Sequence, residues 1–309
     1  MTTKLSVIVF PGGFNLPLWA SEHCGAFARR ELEIDLHFTT NSVQQLFGLI
    51  RGEWDIGLTG FDNVVAYQEG QGEAEIDHEP DLFVFMGGDD AFLRLVVQPN
   101  VRSYADLKGK ILSVDALTTG FAFVLRRMLA LNGIAEADVN FERAGGVLQR
   151  FEALKQGKHA GTLLITPFDL IADKLGLRVL QKASDVLPHY QGVAGAARRA
   201  WAKENSQALV QFIGAYLEGL RWLYDRRNEA QACSLLAEKV PNMTPDLAKA
   251  TYRVLVADQG GFDRSAALDL AGVKAVLELR SAYGHPRKLL TDVEKYHDLD
   301  YYQRAVSGS

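Results

Sequence analysis

The sequence predicts an α/β protein of two lobes, each a mostly parallel sheet flanked by helices, followed by a helical C-terminal tail. Three observations carry this. Residues 39–63 read as a polar loop, a helix, a glycine stop, a buried strand and a second polar turn. Residues 143–169 repeat that order: both copies carry Val-x-Gln-x-Phe (Val43, Gln45, Phe47; Val147, Gln149, Phe151), a glycine at the helix end (Gly52; Gly157) and Phe-Asp (Phe61-Asp62; Phe168-Asp169). Beyond Arg198 the pattern turns to a helical period almost to the end. A duplicated α/β unit implies two similar lobes, and two lobes imply a cleft.

Residues 5–10 form a β-rich apolar run, hence a buried strand. Pro11-Gly12-Gly13-Phe14-Asn15 breaks it, and Asn15 is placed to cap a helix with Pro17 in its first turn. Residues 33–38 alternate and predict a second strand. Asn41 or Ser42 then caps a helix whose apolar face is Val43, Leu46, Phe47 and Ile50, ended by Gly52, and residues 55–59 predict a third strand. This βαβαβ order implies parallel pairing with right-handed crossovers. A short helix at 64–68, an acidic loop, and strands at 82–86 and 93–98 follow. The unit then recurs: strand 111–115, helix 121–131 closed by Asn132-Gly133, strand 139–142, and the second copy of the motif. Gly25 and Gly133 stand at matching helix ends. Residues 179–195 read as one strand returning to the first lobe, and Thr244-Pro245 and Asp263-Arg264-Ser265 read as later helix starts. The expected lobes are residues 1–95 with 196–309, and residues 96–195.

A chain of 309 residues buries a large core and more often forms two domains than one. At 48% hydrophobic and 23% charged it is not a disordered, collagen-like or coiled-coil sequence. A net charge of -5 argues against a nucleic-acid binder. No apolar run reaches the roughly 18 residues a membrane-spanning helix needs. Cys24 and Cys233 are far apart and have no metal or redox spacing, and Cys24 is expected to be a small buried residue. The seven histidines fall in no ligand pattern, so no metal or cofactor is expected. No Gly-x-Ser-x-Gly elbow, Walker loop or GxGxxG is present, which leaves hydrolase, NTPase and dehydrogenase readings without a motif.

In open α/β sheets ligands sit beyond the carboxyl ends of the strands. Those ends bring together Gly12, Phe14, Asn15, Asn41, Ser42, Thr59, Gly60, Phe61, Asp62, Asn63, Gly88 and Asp89 from the first lobe. Thr118, Thr119, Gly120, Phe121, Gly146 and Thr166 come from the second. Small residues let backbone N–H groups approach a ligand, and helix N-termini favour negative charge. The same residues also serve as ordinary caps and turns. Phe14, Phe61, Phe92, Phe121 and Tyr190 are candidates for apolar walls or for core packing. Arg94 is placed to meet a ligand carboxylate, or Asp89 or Asp90. For acid–base chemistry the candidates are Asp62, Asp89 and Asp90, no pair of which has a diagnostic spacing, with His189 as the one candidate general base.

Several segments together resemble the two-lobed periplasmic solute-binding superfamily, and within it the NMT1/THI5-like branch with the binding components of sulfonate, taurine and nitrate importers. They are Asn15-Leu-Pro-Leu-Trp-Ala-Ser-Glu, Ser42-Val-Gln-Gln-Leu through Gly52-Glu-Trp-Asp-Ile-Gly-Leu-Thr, Ala105-Asp-Leu-Lys-Gly-Lys and Thr119-Gly-Phe. The likeness covers roughly residues 4–200 and, generally, the helical tail. It implies a periplasmic-binding-protein-like fold, a small anionic or heteroaromatic ligand held between the lobes, an ABC permease as partner, and action as a monomer without a cofactor. The cysteine-rich segment of the branch's thiamine-pyrimidine synthases is absent, so their chemistry is not carried over. The sequence opens directly on a strand, without a secretion signal: the compartment is periplasmic if a leader has been removed and cytoplasmic if Met1 is the native start. The second case favours a cytoplasmic cofactor-free lyase, decarboxylase or dehydratase acting on a small carboxylic acid. A sensor or regulatory binding module is the third reading.

Overall fold

A computed structural model describes residues 2–258 and 260–308; Met1, on which the compartment expectation turns, lies outside them. The first lobe begins with β1 (Thr3–Val9), α1 (Leu16–His23), β2 (Leu32–Phe38), α2 (Ser42–Arg51), β3 (Ile56–Gly60), α3 (Phe61–Gln68) and β4 (Leu82–Met86). The chain crosses into β5 (Arg94–Val97), β6 (Ile111–Val114), α4 (Gly120–Leu131), β7 (Asn140–Arg143), α5 (Val147–Lys155), β8 (Gly161–Leu164), α6 (Phe168–Lys174) and β9 (Arg178–Lys182). It returns through β10 (Val193–Arg198) to α7 (Arg199–Glu204), α8 (Ser206–Tyr224), α9 (Glu229–Lys239), α10 (Pro245–Leu255), α11 (Leu270–Tyr283) and α12 (Asp300–Ser307).

The two sheets have the same plan. In the first, ordered β2-β1-β3-β10-β4, β1 runs parallel to β2 and β3, and β10 is antiparallel to both β3 and β4. In the second, ordered β7-β6-β8-β5-β9, β6 runs parallel to β7 and β8, and β5 is antiparallel to β8 and β9. Each sheet thus takes its antiparallel strand from the segment that has just crossed from the other lobe. These are two mixed sheets flanked by helices, the two-lobed periplasmic-binding-protein-like architecture, with a helical C-terminal region.

The duplication is real, but the residues that signalled it are out of register. The buried face of α2 is Ser42, Gln45, Leu46 and Leu49, and that of α5 is Val147, Arg150, Phe151 and Leu154. Gln45 Nε2 donates to the Leu58 carbonyl (3.1 Å) from the turn of α2 where, in α5, Arg150 Nη2 donates to the Leu163 carbonyl (3.3 Å). Gly52 and Gly157 close the two helices in the left-handed region. Packing therefore pairs Ser42 with Val147 and Gln45 with Arg150. The Val-x-Gln-x-Phe match sits one residue off that pairing, and Gln149 is only half-buried. After the sheets come back into step, Phe61 and Phe168 open α3 and α6. Both following aspartates are buried against an arginine: Asp62 on Arg280 and Asp169 on Arg94.

Local expectations meet three corrections. Residues 179–195 are two strands of different sheets, β9 and β10, because the chain must leave one lobe before it can pair in the other. Asp263 accepts from Ser265 N and Ala267 N in a turn, and the cap of the next helix is Asp269, whose side chain accepts from Ala271 N. Asn15 stands at the N-cap of α1, yet its Nδ2 donates to the Phe10 and Gly12 carbonyls (2.7 and 3.1 Å), bracing the preceding loop instead of the helix. Asn41 does cap α2, accepting from Gln44 N at 2.8 Å.

The C-terminal helices clamp the lobes from behind. A Cβ at Gly219 would lie 2.1 Å from Ser21 Oγ, so only glycine lets α8 approach α1 this closely. Ser21 Oγ then donates to the Ala215 carbonyl across that contact. Helix α11 packs on both α3 and α4, one from each lobe.

Candidate ligand-binding site

The carboxyl ends of β1, β3, β6 and β8 face one another across the cleft, and the N-termini of α3, α4 and α5 point into it. Between them lies a cavity of about 80 Å³, room for several waters and hence for a small solute. Its walls are predominantly apolar: Phe10, Phe14, Phe92, Phe121, Ile165 and Tyr190. The rings of Phe121 and Tyr190 sit 6.4 Å apart, tilted at 51°. Apolar walls with a few fixed polar groups are the usual composition of a small-molecule site.

Each polar group there has a distinct role. Asp62 is not free: Arg280 Nε and Nη2 grip its two oxygens at 2.6 and 2.7 Å, and Arg280 itself is 0% exposed. Arg150 is 3% exposed; its guanidinium donates to the Gly145 and Leu163 carbonyls, and among the described residues no carboxylate lies within ion-pair distance. Burial pulls its pKa below the arginine range, against the attraction of Asp115. Asp115 Oδ2 accepts from Ser42 Oγ at 2.7 Å, whereas its buried Oδ1 has no hydrogen-bond partner among the described residues. Asp89 is 8% exposed, and its carboxyl is pushed up to about 7 by burial, with Asp90 adding to the rise against backbone hydrogen bonds that oppose it. Burial, then the Asp62 charge, raises the Tyr190 hydroxyl well above the usual phenol range. Gly120 lets the two lobes approach closely: a Cβ there would meet Asp62 Cγ and the Tyr190 hydroxyl at 2.5 Å.

A ring of cross-lobe bonds closes the cleft around this cavity. Ser42 in α2 reaches Asp115 at the end of β6, and Gly146 N donates to the Thr40 carbonyl at 3.0 Å. Glu73 accepts from Thr118 N (3.1 Å) and Thr118 Oγ1 (2.8 Å) and pairs with Arg143 at 2.6 Å. Arg280 Nη2 donates to the Thr118 carbonyl at 2.6 Å. The lobes are therefore in contact, and the molecule is in a closed form.

Of the residues expected from the sequence, Phe14, Thr59, Gly60, Asp62, Asn63, Asp89, Thr119, Gly120, Phe121 and Gly146 line the cavity. The others lie outside it. Ser42 and Thr118 belong to the cross-lobe ring, Asn41 caps α2 and Asn15 braces the first loop. Phe61 is fully buried under α3, and Thr166 is fully buried beside Ile165. Gly88 gives room to the Val193 carbonyl, 2.8 Å from where its Cβ would be, and Gly12 to the Phe14 ring. Arg94 binds Asp169 at 3.1 Å and the Phe92 carbonyl; among the described residues it makes no ion pair with Asp89 or Asp90, though its charge opposes the burial that raises the Asp90 carboxyl. His189 is largely exposed, 3.1 Å from Asp269, and does not line the cavity.

Sequence reasoning missed Phe10, Ala91, Asp115, Val147, Arg150, Ile165 and Val193 as cavity residues. Phe10 and Asp115 were assigned to strands, whose last residues in fact spill into the cleft. For Arg150 a signal existed: it falls with Val147, Phe151 and Leu154 on one helical face, a charge in an apolar stripe.

A family model described as the NMT1-like family matches residues 2–237. Among solved structures, a protein of Bordetella bronchiseptica RB50 is similar over 99% of this chain and 97% of its own, with 18% identity and a TM-score of 0.80. The nitrate-binding protein NrtA of Synechocystis PCC 6803 is 13% identical, with 99% and 89% covered and a TM-score of 0.79. The alkanesulfonate-binding protein SsuA of Xanthomonas axonopodis pv. citri, bound to MOPS, is 18% identical, with 95% and 96% covered and a TM-score of 0.74. At these identities the likeness is one of fold. No curated protein matches the chain.

Proposed function

This chain belongs to the NMT1-like family, and from that premise we propose that it is the solute-binding component of an ABC-type importer, holding a small molecule between its lobes for delivery to a permease. The observation that carries the reading is the enclosed apolar cavity lined from both lobes and ringed by bonds that exist only when the lobes meet. Solute-binding neighbours of the same architecture, among them those for nitrate and an alkanesulfonate, support it. The ligand-contact set is Phe14, Thr59, Asn63, Asp89, Thr119, Gly120, Phe121 and Gly146, joined by Phe10, Tyr190 and Arg150. The solute is anionic or heteroaromatic in class: the rings accept a flat body and Arg150 a group that accepts hydrogen bonds. The protein acts as a monomer, its two lobes completing the site without a second copy.

One observation favours the enzyme reading. Asp89 is a buried carboxyl with its pKa pushed up to about 7, suited to proton transfer near neutrality. It would act alone, since Asp62 is held by Arg280 and His189 lies outside the cavity.

The test is a thermal-shift screen of small metabolites, since a ligand of the closed form raises its stability by linkage. Each hit is then incubated with the protein and followed by mass spectrometry. Recovery of the unchanged compound, with small-angle scattering showing the closed form at saturation, is expected. Conversion of the hit, or a screen in which no solute moves the melting temperature, overturns the proposal.

A further inference from the structure

Asp89 lies in the crossing between β4 and β5, where the chain leaves the first lobe. Its Oδ1 accepts from Ala91 N (2.7 Å) and from Val193 N (2.9 Å), so one oxygen ties together the two segments that cross between the lobes. Its Oδ2 takes no hydrogen bond from any described residue, and the side chain lines the cavity. Two and three residues further on, the backbone is strained: Ala91 and Phe92 are non-glycine residues with φ of 73° and 49°, and both line the cavity. Consecutive left-handed residues of this kind persist where the surrounding structure forces them, commonly at ligand sites.

The other acidic groups of the cavity are answered within the protein: Asp62 pairs with Arg280, and Asp115 accepts from Ser42 Oγ and feels the Arg150 charge. Among the described residues Asp89 has no such partner. The groups around it are Asp90, with Tyr216 close enough to feel its charge, and on its outer side Asp258, Asp263, Arg264 and Asp269. Arg264 is taken by Asp258, and the nearby Arg94 by Asp169. The cavity it lines is walled by aromatic rings. A buried carboxylate without a counter-ion, in a cavity walled by rings, is the complement of an organic cation.

Resting on the solute-binding reading, we propose that the solute carries a protonated nitrogen, an ammonium or a protonated heterocycle, which ion-pairs with Asp89 Oδ2 among the rings of Phe92, Phe121 and Tyr190. A solute with a hydrogen-bond-accepting or anionic end at Arg150 would then be zwitterionic. Because one carboxylate oxygen bonds both crossing segments and the other meets the cation, binding also fixes the crossing in its closed geometry.

The test uses three probes of one shape: benzylamine, benzyl alcohol and benzoate. Benzylamine remains cationic at both pH 8 and pH 5, so any change between the two reports the protein. The expected result is a stabilisation of the wild-type protein by benzylamine at pH 8 that benzyl alcohol does not produce. That stabilisation shrinks at pH 5, where the carboxyl holds its proton, and weakens at least tenfold in apparent affinity in Asp89→Asn. The asparagine oxygen still accepts from Ala91 and Val193, and a native melting transition of the variant without ligand verifies its fold. Equal benzylamine binding by Asp89→Asn, or binding that does not fall at pH 5, overturns the cation assignment. Stabilisation by benzoate and by anionic or neutral metabolites with none by any amine also overturns it, while leaving the solute-binding reading intact. A metabolite screen without any hit removes both.

Discussion

Replacing Arg280 by methionine isolates the ion pair on which the closed molecule is built. The guanidinium is completely buried; it grips both oxygens of Asp62, donates to the Thr118 carbonyl across the cleft and to the Gln71 carbonyl at 3.3 Å, and lies 5.0 Å over the Phe123 ring. Methionine keeps most of the volume but strands a 3% exposed carboxylate with no cation. Breaking a buried pair from one side costs about 3–5 kcal/mol, most of it the uncompensated charge. The Arg280→Met, Asp62→Leu double variant removes that charge as well and should recover a large part of the loss, because both groups are then replaced by apolar ones. Urea unfolding followed by circular dichroism reads both quantities, the midpoint falling clearly for the single variant and partly returning in the double. A single variant within ~1 kcal/mol of wild type, or a double variant that loses the sum of the two singles, would refute the reasoning.

Ser42→Ala removes a charge-assisted bond that exists only when the lobes touch, leaving Asp115 with neither oxygen bonded by Ser42. At about 2 kcal/mol for such a bond, solute affinity should fall roughly 30-fold by calorimetry with the unfolding midpoint of the open form little changed. The Asp89 carboxyl titrates at about 7 in the folded protein against a usual value of 3.8, so the folded state holds its proton more tightly than the unfolded one. Its contribution is fully present below pH ~4 and is lost as pH rises through ~7, a swing of roughly 4 kcal/mol at most. Ligand-free stability measured from pH 4 to pH 8 should therefore flatten in Asp89→Asn. A Cβ at Gly120 would meet Asp62 Cγ and the Tyr190 hydroxyl at 2.5 Å, so Gly120→Ala should cost about 1–3 kcal/mol through overpacking and weaken lobe closure, read by thermal melting and scattering.

Much of the architecture was legible because it rests on local chemistry. Alternation and apolar runs located the strands, Asn41 and Gly52 bracket α2 as cap and stop, and Gly25, Gly133 and Gly157 take positive φ where the sequence places helix ends. The duplication was also legible, though through a motif that packing shows to be one residue out of step; what is repeated is the order of elements and the buried face, not the letters. The cavity was legible only by position. Strand ends named Asp62, Asp89, Thr119 and Phe121, which line the cavity, but the same rule also named Ser42 and Thr118, which face the other lobe instead. Arg150 escaped because an arginine on a short amphipathic helix normally belongs to the solvent face.

The sequence by itself determined the fold class and the two-lobed repeat, which follow from periodicity, turn chemistry and the order of elements along the chain; the family came from the likeness of its motifs to those of known members. Tertiary structure alone decided what each polar residue is for. Asp62 and Asp89 are both aspartates at cleft-facing turns, yet one is neutralised by Arg280, which lies 218 positions further along the chain, and the other meets two backbone N–H groups and an open cavity. The charge a carboxyl keeps depends on what burial brings beside it, and for Asp62 that partner belongs to the far end of the sequence.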